Sequence, residues 1–336
     1  MIELINEDYL KELDKKGYEN NKLLNKNLSS SRKLSMIPIT YDKLFKALFI
    51  KCQEEFKDFL VETLNLDLTP NDININILNN EMPVDKRNEF KKIADIFIKI
   101  NDNILLNIEV NRKSYEDMAI RNSRYIGKLI DMEIYNERDY KLLREKEIIQ
   151  LNINSLEKNK YCKRKLVMYD EENNEIFSKN PKIFLKYVEN YRDLYYNGDR
   201  KRETIWYAFI ASRTYTECYS ILLELFDEIK AKKVMKEVIA LNSNDYLIHD
   251  WENDKLNEIE LINATKRAEE KGVEKGIKKG IKKGIKQGKE EGKKEGISIG
   301  KEELIKNMLK ENMDINLISK IANISLERIE EIRKNI

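Results

Sequence analysis

Residues 93–113, IADIFIKINDNILLNIEVNRK, constrain this chain more than any other stretch. Two apolar alternating runs flank the polar triplet Asn101-Asp102-Asn103, which predicts a β-hairpin. With the turn centred on Asp102, Ile96 faces Ile108 and Asp95 faces Glu109. Side chains alternate between the two faces of a strand. Ala94, Ile96, Ile98, Ile100, Ile104, Leu106, Ile108 and Val110 therefore share one face, which must be buried. Asp95, Glu109 and, one step further, Asn111 fall on the other. A one-residue shift of the turn would separate the two carboxylates.

Directly opposed residues of an antiparallel pair have Cβ atoms roughly 4.5–5.5 Å apart, and like charges at that distance repel. A solvated sheet edge also carries polar residues, but Lys or Thr would serve it better than two acids. A divalent cation between the carboxylates removes the conflict.

Other chemistries lack residues. The chain has a single histidine, His249 in YLIHDW, expected as an ordinary partly buried side chain near Trp251. Histidine-pair zinc sites and Ser-His-Asp triads need more. Cys52, Cys162 and Cys218 are far apart, with no CxxC, which fits a reducing cytoplasm. There is no G-x-x-x-x-G-K-[ST] phosphate loop. The opening MIELINEDYLKELDKK is charged from Glu3 onward, so no secretory signal is expected there. No uncharged apolar run approaches the ~18 residues that span a bilayer, so no membrane partner is expected. Hydrolytic chemistry would have to come from carboxylates and metal.

Residues 1–19 read as a short charged helix and 20–35 as a polar linker. Leu44, Phe45, Leu48 and Phe49 form one helical face, with Thr40 as the expected N-cap. A second helix covers 54–64, and the alternation in 73–81 predicts an outer strand. After the hairpin, 114–135 reads as a helix with Met118, Ile126, Leu129 and Ile130 as its stripe, Ser114 as cap, and Arg121 and Tyr125 at i,i+4. Residues 145–155 read as a strand and 164–178 as a hairpin. From Pro181 to about Leu256 the pattern is helical, and its aromatic content is ascribed to packing.

The tail differs from everything before it. Gly272, Gly276, Gly280, Gly284, Gly288, Gly292, Gly296 and Gly300 recur every fourth residue, using eight of eleven glycines. Four residues advance a helix by about 400°, so the stripe drifts slowly around the surface. Each glycine costs roughly 1 kcal/mol against Ala, so the segment is expected to be marginally helical alone. Residues 266–296 carry twelve basic and six acidic side chains, with six lysines and no acid between Lys278 and Lys289. Such a patch suits a phosphate backbone, and a solvated spacer is an equal reading. Beyond it, two or three short amphipathic helices break at Asn323-Ile324-Ser325 with the cadence of a helix-turn-helix or any small helical hairpin. The expected divisions are an N-terminal helix and linker (1–36), a core (37–180), a helical region (181–260), the glycine spacer (261–300) and a small helical segment (301–336).

YDKLFKALF, Glu81 in NNEMP, Asp95 in IADIFIKI, NIEVN at 107–111 and R-x-x-x-Y at Arg121–Tyr125 together resemble one family. It is the PD-(D/E)XK nuclease family transposases, the Rpn-type recombination-promoting nucleases. The likeness covers about 40–155 well and the tail by style. It implies an α/β, restriction-endonuclease-like core: a mixed sheet flanked by helices, then a helical region and a helical glycine-repeat tail. It also implies that Asp95 and Glu109, with the main-chain carbonyl of Val110, hold Mg²⁺ (or Mn²⁺) for hydrolysis of DNA. Asn111 then stands where most of the superfamily has Lys and this branch has Gln, so it can orient a water but supplies no charge. Lys113 shares its strand parity, two residues away.

Three functions compete at this level. The first is a metal-dependent DNA endonuclease of recombination or mobile elements. The second is a nucleic-acid-binding protein with a weak or inactive site, which Asn111 favours. The third is a self-associating protein, a homo-oligomer joined through its glycine stripe. The opposed pair of Asp95 and Glu109 favours the first.

Overall fold

A computed structural model describes residues 5–22, 33–78, 96–111, 118–133, 143–154 and 159–335. The central element is a six-stranded mixed sheet, and its middle is the expected hairpin. β1 (Ile75–Ile77), β2 (Ile96–Ile100) and β3 (Ile104–Asn111) form an antiparallel meander. Ile96 pairs with Ile108, Ile98 with Leu106 and Ile100 with Ile104, the register centred on Asp102. Asn101 and Asp102 take left-handed φ of 50° and 59°, a region Asn and Asp tolerate better than other side chains. Asn101 also locks the turn to the segment before β1, donating to the Asp72 carbonyl and accepting from the Asn74 amide, both at 2.7 Å.

α4 (Met118–Glu133) follows β3 and leads to β4 (Glu147–Asn154), which lies parallel to β3. β5 (Lys163–Asp170) and β6 (Glu175–Tyr187) form an antiparallel hairpin whose second strand runs parallel to β4, giving the order β1-β2-β3-β4-β6-β5. The helical reading from Pro181 onward is thus overturned for its first seven residues. Lys182 to Tyr187 pair residue by residue with β4 from Ile149 to Asn154. That pairing, which no local period reveals, outweighs the helical pattern.

The aliphatic face of the hairpin is buried, as expected. Ile96, Ile98, Ile100, Leu106 and Ile108 join Ile149, Leu151 and Ile153 of β4 in the main core. α2 (Asp42–Lys51) and α3 (Gln53–Leu64) supply Leu44, Phe45, Leu48, Phe49, Phe56 and Phe59 to it. The residue capping α2 is Tyr41, not Thr40, and no side-chain cap bond forms. The Tyr41 hydroxyl instead reaches the Asp250 carboxylate, to which Lys43 is also bound at 2.5 Å. Burial pushes Asp250 up, but these two partners hold its carboxyl below the ordinary value.

α5 (Val188–Tyr196), α6 (Arg202–Ile210), α7 (Tyr215–Leu225), α8 (Glu228–Asn242) and the first turns of α9 (Asp245–Lys310) belong to the same core. α1 (Glu7–Asn20) is tied to it by Asp14, which accepts from the Tyr215 and Thr216 amides at 2.7 and 3.1 Å, at the start of α7. A carboxylate is favoured where helix amide dipoles point. Gly17 of α1 lies against the Ser35 carbonyl, where a Cβ would come within 1.8 Å. His249, expected to be partly buried, is exposed on α9, where its Nε2 lies 3.1 Å from Asn253 Nδ2.

Residues 1–256 form one compact unit and 257–336 another. In the second, every side chain from 263 to 300 is exposed. α10 (Ile315–Ala322) and α11 (Leu326–Lys334) turn at Asn323, which takes φ 48°. Ile318, Ala322, Ile329 and Ile332 close with Ile305 into a small core, the expected helical hairpin. α11 carries Glu327, Glu330 and Glu331 beside Arg328, Arg333 and Lys334, and Arg328 is bound to Glu331 at 2.6 Å. That surface has no excess of positive charge to offer DNA.

Candidate active site

The second face of the sheet is covered as well. Phe97 and Leu105 pack with Ile126 and Leu129 of α4 and Ile148 of β4 in a separate cluster. Beyond Leu105 the same face of β3 turns polar, with Asn107, Glu109 and Asn111 in succession. All three are buried, Glu109 at 8 % exposure. A solvated edge is therefore the wrong description. The polar row lies inside the protein, where each hydrogen-bonding group needs a partner.

β4 supplies a second polar row beside the first. In the parallel register Asn107 stands next to Gln150, Glu109 next to Asn152 and Asn111 next to Asn154. Asn107 Nδ2 donates to Gln150 Oε1 at 2.9 Å, and Asn111 Nδ2 donates to Asn152 Oδ1 at 3.1 Å. From α4, Arg121 brings its Nη2 to 3.4 Å from Glu109 Oε1. One turn on, Tyr125 lies against Phe97, with ring centroids 6.4 Å apart, and Lys128 stands over both rings. The i,i+4 pair of the sequence is thus aimed at the site: Arg121 meets the carboxylate while Tyr125 anchors the helix.

Of the residues expected in the site, Glu109 and Asn111 lie on one face, the face opposite the aliphatic core. Val110 points into that core, leaving its main chain as what it can offer the site. Asp95, Glu81, Lys113 and Ser114 lie outside the described residues. Among the described residues no group of three or more His, Cys, Asp or Glu is gathered for a metal ion. The available donors are a carboxylate, carboxamides and main-chain carbonyls. These are hard oxygen ligands that suit Mg²⁺ or Mn²⁺ and not a thiophilic metal.

Arg121's contact and the β4 carboxamides escaped the sequence reading. The signal was present: in IIQLNIN, Gln150, Asn152 and Asn154 alternate with Ile149, Leu151 and Ile153. Alternation gives the parity of a row but not its neighbour.

A cavity of about 650 Å³ on the other face, lined by Lys163, Lys165, Lys182 and Lys186, is a weaker candidate. Three of these lysines are already matched by carboxylates, and Lys165 lies over the Phe184 ring. Lys186 and Lys163 bind Glu203 at 2.5 and 2.7 Å, and Lys182 binds Glu147 at 2.5 Å. Burial pushes the Lys186 ammonium down against the pull of Glu203. A paired cluster of this kind holds β5, β6 and α6 together.

A mixed sheet flanked by helices, with an acidic residue and a carboxamide two apart on the central strand, defines a restriction-endonuclease-like fold. A family model described as PD-(D/E)XK nuclease family transposase matches residues 39–217, and the chain belongs to that family. Comparison with curated proteins and with solved structures finds no match. Family membership gives the protein a nuclease-type function, with nucleic acid as the implied substrate. Among the described residues, no helix is long and apolar enough to cross a membrane.

Proposed function

We propose that this protein is a divalent-metal-dependent DNA endonuclease acting in recombination or the movement of a mobile element. The observation that carries the reading is Glu109, a carboxylate buried among carboxamides on a helix-covered face of the central strand. Asp95 and Glu109, with the Val110 carbonyl, would hold Mg²⁺ (or Mn²⁺), which when bound activates a water and neutralises charge developing on phosphorus. Asn111, its Nδ2 engaged by Asn152, has its carbonyl oxygen to accept a hydrogen bond from that water and orient it. Arg121 supplies the positive charge that Asn111 cannot. A neutral side chain in place of lysine makes this a slow enzyme. The expected result is Mg²⁺- or Mn²⁺-dependent nicking of supercoiled plasmid that Asp95→Ala abolishes. Equal nicking by that variant would refute the reading.

The reading extends to the tail. Lys275, Lys278, Lys279, Lys282, Lys283, Lys286 and Lys289 follow one another without an acid, on an exposed helical stretch. Two copies of α9 paired across Val273, Ile277, Ile281 and Ile285 would bring these lysines together, and like charges oppose that. A DNA backbone is attracted instead. Ending the chain after Glu260 should weaken DNA binding and flatten its dependence on salt. Unchanged affinity and slope, with helicity that varies with protein concentration, would instead make the tail a self-association element. The three cysteines are free, which supports a reducing, cytoplasmic setting.

A further inference from the structure

The outer side of α4 carries one sign of charge beside the site. Arg121, Arg124 and Lys128 follow one another along it, and its first acid, Asp131, lies a full turn beyond Gly127. Arg121 is engaged at the site, 3.4 Å from Glu109 Oε1. Lys128 lies over the Phe97 and Tyr125 rings and is still exposed. Arg124 is exposed and has no hydrogen bond or ion pair among the described residues. α8 shows the contrasting case of a solvated face with matched charges: its Lys232 and Lys233 are bound by Glu228 and Glu55, both at 2.7 Å. Two further features belong to the α4 surface. Ile120, one turn before Arg124, is 74 % exposed. Gly127 sits in the helix interior, where a Cβ would meet nothing within 4 Å. Glycine there costs helix stability, and packing does not require it.

A sugar–phosphate strand laid along this ridge accounts for all of these features. Resting on the nuclease reading of this site, we propose that the outer side of α4 is the track for the backbone of the DNA substrate, with Arg124 as a phosphate-binding residue. A guanidinium offers paired donors that match a phosphate. Arg121, held at Glu109, marks the end of the track at the scissile phosphate. Arg124 takes a neighbouring phosphate and Lys128 the next. The helix rises about 10 Å from Arg121 to Lys128. That is room for about three phosphates of one strand, at ~3.4 Å of duplex axis each. Gly127 lets the strand come close to the helix, and Ile120 meets the apolar face of a deoxyribose. These contacts touch no base edge, so they position the duplex without setting a target sequence. Arg124 makes and breaks no bond.

The test uses the full-length protein and two short DNA duplexes of unrelated sequence. Ca²⁺ replaces Mg²⁺ to hold off cleavage, and affinity is read by fluorescence anisotropy over a range of NaCl concentrations. Arg124→Ala should weaken binding of both duplexes about tenfold and lower the slope of log affinity against log salt by about one. Its melting temperature should match the wild type, since the side chain has no partner to lose. Arg124→Glu should bind more weakly still, and Arg124→Lys should recover most of the loss. Gly127→Leu should also weaken binding while melting at or above the wild-type temperature, because the added side chain meets open space. Wild-type affinity and slope in Arg124→Ala overturn the proposal. A loss confined to one duplex overturns it too, because Arg124 would then read bases. Wild-type affinity in Gly127→Leu would put the strand elsewhere and reject the track. Asp95→Ala separates this from the parent reading. If that variant still nicks plasmid while Arg124→Ala loses affinity, the nuclease assignment fails and the DNA track stands. If Asp95→Ala is inactive and Arg124→Ala binds normally, only the track is rejected.

Discussion

Glu109→Gln should lower metal-dependent DNA cleavage on the order of 10³-fold, the scale seen when a charged group that stabilises the transition state is removed. The substitution is isosteric and removes only charge. Gln retains an oxygen to accept from Arg121, whose side chain is 37 % exposed and so remains partly solvated. Leaving a cation unpaired costs much in a sealed interior and little at such a boundary. Thermal stability should therefore stay near that of the wild type. Calorimetry should show Mn²⁺ binding lost along with activity. Cleavage within tenfold of the wild type would remove Glu109 from the metal site. A collapse of stability with unchanged metal binding would make it a structural ion-pair partner.

Trp206→Ala should produce the largest loss of stability in the helical layer, about 3–5 kcal/mol on the scale of large-to-small core substitutions. Trp206 is completely buried. Its ring lies 5.3 Å from Phe56, 5.6 Å from Phe59, 5.8 Å from Phe209 and 5.6 Å from Phe226. It therefore joins α3 to α6 and to the end of α7. Its Nε1 donates to Asp58 Oδ2 at 2.6 Å, and Arg202 binds the same carboxylate through Nε at 2.8 and 2.7 Å. Removal both opens a cavity and takes a donor from that carboxylate. Trp206→Phe keeps most of the ring area and leaves Arg202 in place, so it should cost less than half as much. Urea midpoints for the two variants, with the slope checked for change, measure both. Equal losses would mean that the Asp58 hydrogen bond, and not the aromatic contacts, dominates.

The hairpin at the centre of the sheet was legible because its information is local. The period of two, the turn-forming Asn101 and Asp102, and an unbroken aliphatic row leave one register that buries Ile96, Ile98, Leu106 and Ile108 together. That register also places Glu109 and Asn111 on the opposite face, so half of the candidate site followed from parity alone. A one-residue slip would have moved every isoleucine in the pair to the polar face and driven Glu109 into the aliphatic core, and this penalty makes such a prediction dependable.

Long-range pairing decided the rest. Gln150, Asn152 and Asn154 form a polar row by the same alternation, but they join Glu109 only because β4 lies parallel to β3 across some forty intervening residues. No local period identifies which strands become neighbours. The segment after Pro181 reads as helix by pattern and becomes strand to Tyr187 because an open edge of β4 accepts it. Arg121 could be placed on a helical stripe from its spacing with Tyr125, but that it meets Glu109 depends on how α4 crosses the sheet. Side-chain parity is a property of each strand taken alone, whereas adjacency is settled by the free energy of closing the whole core.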